Sequence, residues 1–354
     1  MSEAEMRVAI GQFSEMADEK LRFAAQLGVG GVQMNSPYLP GDVRWETSDL
    51  KALVAQAAEY DLTLEAIENV PLSFFHLAMV GRDGADEQIE NYKYTIRAFG
   101  EAGIPILGYN FMPNSVWTTN RRAPGRGGVM VREFDLAAVT ASPTGGSEFM
   151  PDRPDWVGGL VHTQNPEEFI DAETMWKNYE HFMHEVLPVA KEAGVKLALH
   201  PDDPPVPVLG GVARIFAEPA GFKRAEQIAI DTGAAEAWGL DLCLGCCSEM
   251  PGGKANVVEM IEHFGPTGRI LYVHFRDVQG SVPVFQECFI GEGNYDPAEI
   301  MLLLKRSGFT GFLLDDHVPH MDDDTAWNHR GRAHAVGYMQ GLLRMLDLNE
   351  RAGV

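Results

Sequence analysis

Eight short apolar runs, most of them separated by longer stretches of helical period, recur along this chain and leave few folds open. The runs cover residues 8–12, 31–35, 62–69, 106–111, 195–200, 240–244, 270–275 and 311–315. Helical patterns fall between them, at 14–27, 49–59, 88–102, 172–192 and 255–264. Asp296-Pro297-Ala298-Glu299 opens a further helix with an N-cap residue, a proline at the first helical position and an early acid, and Ser307-Gly308 ends it. Strands that read as continuous apolar runs are buried on both faces, the mark of a parallel α/β sheet. Eight such units favour a closed (β/α)8 TIM barrel over an open doubly wound sheet. No G-x-G-x-x-G follows the first run and no G-x-x-x-x-G-K-[ST] occurs, so dinucleotide and P-loop readings lose their main support.

Residues 113–169 and 201–221 are too long for plain βα loops. They read as insertions after strands 4 and 5 of a single barrel domain spanning 1–354. Loops after barrel strands build the active-site face, so 113–169 is expected to act as a lid or substrate wall. Composition fits such an enzyme: 45% of residues are hydrophobic and 22% charged. No apolar run approaches the roughly 18 residues of a membrane span. Met1-Ser2-Glu3-Ala4-Glu5 has neither a basic nor an apolar leader region, and the expected location is cytoplasmic. The net charge of −23 argues against a nucleic-acid partner. It also means that an anionic substrate needs a local positive centre, either a metal or a placed arginine. A homodimer is compatible with exposed barrel helices and long loops.

Ligand-type residues end the last four strands. One strand runs into Leu199-His200-Pro201-Asp202-Asp203, the next ends Leu242-Cys243, the third Val273-His274-Phe275-Arg276-Asp277 and the last Leu314-Asp315-Asp316-His317. A barrel gathers those four ends on one face. His200, Cys243, His274 and Asp316 can jointly hold a divalent transition metal. Singly, each has a plainer reading: a satisfied histidine, a cysteine acting as a small core residue, an aspartate capping a loop. Their coincidence at equivalent positions is what points to a metal. Asp202 or Asp203 could orient His200, or simply form a turn. The remaining thiols, Cys246, Cys247 and Cys288, lack the second pair that a structural zinc site requires.

His200-Pro201-Asp202-Asp203-Pro204-Pro205 and Tyr109-Asn110-Phe111-Met112-Pro113 closely resemble mannonate dehydratases. So do Glu68-Asn69-Val70-Pro71, Arg132-Glu133-Phe134-Asp135, Cys243-x-Gly245, His274-x-Arg276 and Asp316-His317. The resemblance runs from about the second strand to the final helix. It implies a metal, usually Mn²⁺ with Fe²⁺, Co²⁺ or Zn²⁺ as alternatives, at His200, Cys243, His274 and Asp316, and an acid/base role for His317. It also implies dehydration of D-mannonate, a small sugar acid, to 2-keto-3-deoxy-D-gluconate. Asn110 and Arg276 stand where they could bind substrate oxygens, although Arg276 could equally pair with Asp277. The family's tyrosine before the last helix has no counterpart in Asn328-His329-Arg330-Gly331-Arg332-Ala333-His334, where His334 or Tyr338 could substitute. Family histidines after the second strand are replaced by Asn35-Ser36-Pro37-Tyr38, and Cys246-Cys247-Ser248-Glu249 departs from the family pattern. Those differences keep open a xylose isomerase-like isomerase or epimerase, a lyase expelling another group, and a non-catalytic sugar-binding barrel.

Overall fold

A computed structural model describes residues 5–141 and 165–352, and the portion of the 113–169 insertion at 142–164 lies outside the described residues. We number only the barrel elements. The first strand, β1, has two segments, Arg7–Val8 and Ile10–Phe13, joined at Ala9. It is followed by β2 (Gly31–Asn35), β3 (Thr63–Glu68), β4 (Ile106–Tyr109), β5 (Lys196–Leu199), β6 (Trp238–Cys243), β7 (Ile270–His274) and β8 (Phe312–Leu314). Every pairing among them is parallel. Arg7 and Val8 register with Phe312 and Leu313, whereas Ile10 registers with Val32. The two halves of β1 therefore join β8 to β2 and close the ring that the eight apolar runs predicted.

Small residues make room at the centre. Ala9, Ala66 and Ala198 pack with Tyr272, Phe312 and Leu314, and the Tyr272 and Phe312 rings stack at 4.8 Å. Outside lie α1 (Asp18–Gln26), α2 (Thr47–Ala58), α3 (Ala85–Ala102), α4 (Ala172–Ala193), α5 (Pro219–Asp231), α6 (Lys254–Phe264), α7 (Pro297–Arg306) and α8 (His329–Ala352). The predicted cap of α7 is present: Asp296 Oδ1 accepts from Ala298 N at 2.8 Å. The sequence reading missed α5, whose first turn is Pro-Ala-Gly. A Cβ on Gly221 would stand 2.2 Å from the Ile215 carbonyl oxygen, so close backbone approach explains a residue that weakens the helical pattern. Among the described residues, no helix is long and apolar enough to cross a membrane.

A second sheet was also missed. Val278–Ser281 and Val284–Glu287 form a hairpin after β7. It extends through Met130–Asp135 to Asn120–Pro124, both within the insertion after β4. The insertion and the β7 loop thus build one four-stranded antiparallel sheet. The 201–221 insertion carries a smaller pair, Val208–Leu209 with Val212–Ala213.

Candidate active site

Strand ends impose the geometry. His200, Cys243, His274 and Asp316 follow or end β5, β6, β7 and β8, and all four are buried. Ligand atoms of Cys243, His274 and Asp316 lie within 4.8 Å of one another, as do those of His200 with Cys243 and of His200 with His274. Glu68 and Asp241 join the two histidines in an overlapping group. Asp316 occupies the left-handed region at φ 40°, as do Gln12 (62°), Ser36 (45°) and Asn69 (62°) near the ends of β1, β2 and β3. Non-glycine residues rarely take that conformation, and a cluster of them on one barrel face marks a functional rim.

Electrostatics follow from burial among mixed charges. Burial pushes the Cys243 thiol up, but the hydrogen bond from the Cys246 thiol, the Arg276 charge and both imidazoles outweigh it and hold it well below the ordinary value. For Asp316 burial is likewise opposed by His317, His274 and Arg276, leaving the carboxyl below the usual range. Burial alone would lower the proton affinity of the histidines. Asp241 and other anions override it, raising His200 to about 10 and His274 well above the usual value.

This anion-rich pocket, drawing in protons, suits a dication as well. Its donors include a thiolate, two imidazoles and a carboxylate. His274 Nδ1 is buried with no hydrogen-bond partner, 3.6 Å from Asp316 Oδ2. His200 Nδ1 instead bonds the Pro201 carbonyl at 2.7 Å, turning Nε2 toward the cluster. The residues present fit a metal.

Expected supporting roles fall differently. Neither Asp202 nor Asp203 orients His200. Asp202 Oδ2 accepts from Phe216 N at 2.7 Å, and Asp203 Oδ2 from Arg276 Nη2 at 3.2 Å. Arg276 does not pair with Asp277. Its Nε donates to Asp316 Oδ2 at 2.6 Å, Nη1 to Glu249 Oε1 at 2.9 Å and Nη2 to Cys246 Sγ at 3.1 Å. Gly245 makes space for it, since a Cβ there would meet Arg276 Nη1 at 2.4 Å. Asn110 is buried and donates to Asn69 Oδ1 at 2.8 Å.

A cavity of about 590 Å³ opens over the cluster, lined in part by Gln12, Asn35, Tyr38, Asp316, His317 and Trp327. His317 is partly exposed; its Nδ1 bonds Glu287 Oε1 at 2.7 Å, and its Nε2 lies 3.7 Å from Asp316 Oδ1. Glu287 comes from the hairpin, and nothing near His317 in sequence announced it. Arg121, Arg122 and Arg132 bring cations to the same wall. His334 packs edge-on against Phe289, with ring centroids 5.0 Å apart. Neither His334 nor Tyr338 is among the described residues lining the cavity, which the segment 328–334 reaches through Asn328 and Arg332.

A closed parallel barrel with metal-type donors at the ends of its last strands, beneath a cavity that an imidazole lines, defines the class as a TIM barrel with a candidate metal centre. L-ribulose 3-epimerase shares the fold with a TM-score of 0.58 at 17% identity, covering 98% of this chain and 97% of that one. The particular family is narrower. The D-mannonate dehydratase (UxuA) family model matches residues 6–352, and the chain belongs to that family of hydro-lyases. It is 29% identical over 337 residues to mannonate dehydratase 2 of Halalkalibacterium halodurans, covering 92% of this chain and 93% of the relative. The structure of mannonate dehydratase from Streptococcus suis serotype 2 superposes with a TM-score of 0.81 at 26% identity, over 99% of this chain and 95% of that one.

Proposed function

We propose that this protein is a metal-dependent dehydratase converting D-mannonate, or a closely related sugar acid, to 2-keto-3-deoxy-D-gluconate. The observation that carries the reading is the convergence of His200, Cys243, His274 and Asp316 beneath a cavity that His317 lines. Those four residues would hold the ion, Mn²⁺ or alternatively Fe²⁺, Co²⁺ or Zn²⁺. Bound there, the ion would supply positive charge for the enolate-like anion that develops when the C2 proton leaves.

The remaining work belongs to side chains. Glu287 accepts from His317 Nδ1 and fixes the ring, leaving Nε2 to take or return a proton on the cavity side. Loss of the C2 proton and the C3 hydroxyl amounts to one water, and the resulting enol tautomerises to the 2-keto acid. Arg121, Arg122 and Arg132 offset the strongly acidic chain where an anionic substrate enters. Arg276 holds Asp316, and Asn110 stiffens the wall through Asn69. The sheet over the barrel acts as the cover that excludes water.

The test is NMR of D-mannonate with purified, Mn²⁺-reconstituted protein and an EDTA-stripped control. Metal-dependent appearance of 2-keto-3-deoxy-D-gluconate is the expected result. Silence in a folded, metal-loaded sample overturns the mannonate assignment. A proton exchanged at C2 without loss of water would instead favour the isomerase or epimerase reading.

A further inference from the structure

One buried arginine has more donors than its neighbours take up. Arg332, in the first turn of α8, is buried and lines the cavity. Its Nε donates to the Trp327 carbonyl at 2.8 Å, and Nη1 donates to Asp315 Oδ2 at 2.7 Å and to the Asp316 carbonyl at 3.1 Å. Those bonds use three of a guanidinium's five N–H groups. The two on Nη2 meet no acceptor among the described residues. Buried donors are ordinarily satisfied, and the cavity is the space from which an acceptor can come.

The other arginines are placed for other work. Arg276 is enclosed by Asp316, Glu249, Asp203 and Cys246, and it is not among the described residues lining the cavity. Arg121 and Arg122 line it from the exposed strand Asn120–Pro124, and Arg132 is half-buried on the neighbouring strand. Exposed cations draw an anion in from solution, but salt and water weaken their hold on it. Arg332 is held fast. Its partner Asp315 is tied to the barrel through Oδ1, which accepts from Gly11 N at 3.3 Å, and its guanidinium lies 4.9 Å from the Trp327 ring. Through the Asp316 carbonyl it also stands beside the residue that His317 follows. In a sugar acid the carboxylate carbon is bonded directly to C2. The anionic end must therefore rest next to the imidazole that handles the C2 proton.

We propose that Arg332 binds the substrate carboxylate through Nη2 and so selects sugar acids over neutral sugars, an inference that rests on the dehydration given under Proposed function. A guanidinium offers donors alone, and its bond to an anionic oxygen is stronger than its bond to a hydroxyl. Asp315 and Trp327 fix the group before substrate arrives, so little freedom is lost on binding.

The experiment reads binding by calorimetry in Mn²⁺-loaded protein carrying His317→Asn, which suppresses turnover, and compares D-mannonate with its neutral amide, D-mannonamide. Arg332→Lys keeps a cation for Asp315 but gives up the planar fork. Affinity for D-mannonate should fall about 10–100-fold and that for the amide only a few-fold, with Mn²⁺ affinity in chelator competition unchanged. Equal losses for acid and amide overturn the proposal, as does parallel loss of Mn²⁺ affinity or unchanged D-mannonate affinity in the folded variant. Where the Lys variant does not fold, Arg332→Met combined with Asp315→Asn removes both charges of the buried pair, and the same outcomes decide. Folded, Mn²⁺-loaded wild type that neither binds nor dehydrates D-mannonate overturns the sugar-acid reading itself, and this inference with it.

Discussion

His317 and Glu287 show how a single side chain gains a role from a partner far away in sequence. Replacing His317 by Asn should lower kcat by roughly 10²–10⁴-fold while metal content, read by atomic absorption, stays at the wild-type level. Loss of the metal would instead make His317 a ligand. Asp277 gives a second residue-level expectation. Burial pushes its carboxyl up to about 6 against hydrogen bonds from Val278 N and Tyr295 N. A folded-state value above the unfolded one means the folded protein binds that proton more tightly. Its contribution to stability is therefore full at low pH and is lost as pH rises from about 4 through about 6. Relative to Asp277→Asn, wild type should lose no more than about 3 kcal/mol across that window, measured by urea unfolding at each pH. The clustering of the four candidate donors was legible because each ends an apolar run, which a barrel turns into a shared address. Glu68 and Asp241 were not, because each reads as one acid inside a buried strand and only cross-barrel distances reveal its partner. Glu287 was hidden by a hairpin whose neighbour strand lies some 150 residues earlier.

Elements were legible where period and length agreed. All eight strands lie within their predicted runs or extend them by one or two residues. The sheet over the barrel escaped notice because its strands are short, interrupted by Pro283 and paired across distant loops. Arg214 ties the loops after β4 and β5 together: Nη2 donates to Asn114 Oδ1 at 3.1 Å and to the Ser115 carbonyl at 2.7 Å, and Nη1 donates to the Asp203 carbonyl at 3.3 Å. It also faces Asp202 at 3.8 Å, with both side chains buried. Arg214→Leu would strand the Asp202 charge and leave these carbonyls without a donor. The expected loss is about 3–5 kcal/mol in urea unfolding, with the barrel's far-UV signature retained.

On the scale of the molecule, many anions enclose the centre in a chain of net charge −23. An ion that binds only the folded state stabilises the whole barrel. At a hundredfold excess over its Kd, Mn²⁺ should add about 2.7 kcal/mol, and EDTA should lower the thermal midpoint correspondingly in a calorimetric scan. Unchanged midpoints would argue against the site.

Ring closure has a further consequence. Arg7 pairs with Phe312, and the four proposed donors all lie between residues 200 and 316. A ribosome that has made the first half of this chain has made none of them. The nascent barrel must wait for its last strand both to close its seam and to present a complete metal site. Under the proposed metal reading, metallation would then be a late event in the birth of the protein, and a chain truncated before β8 would be released open-edged and without Asp316.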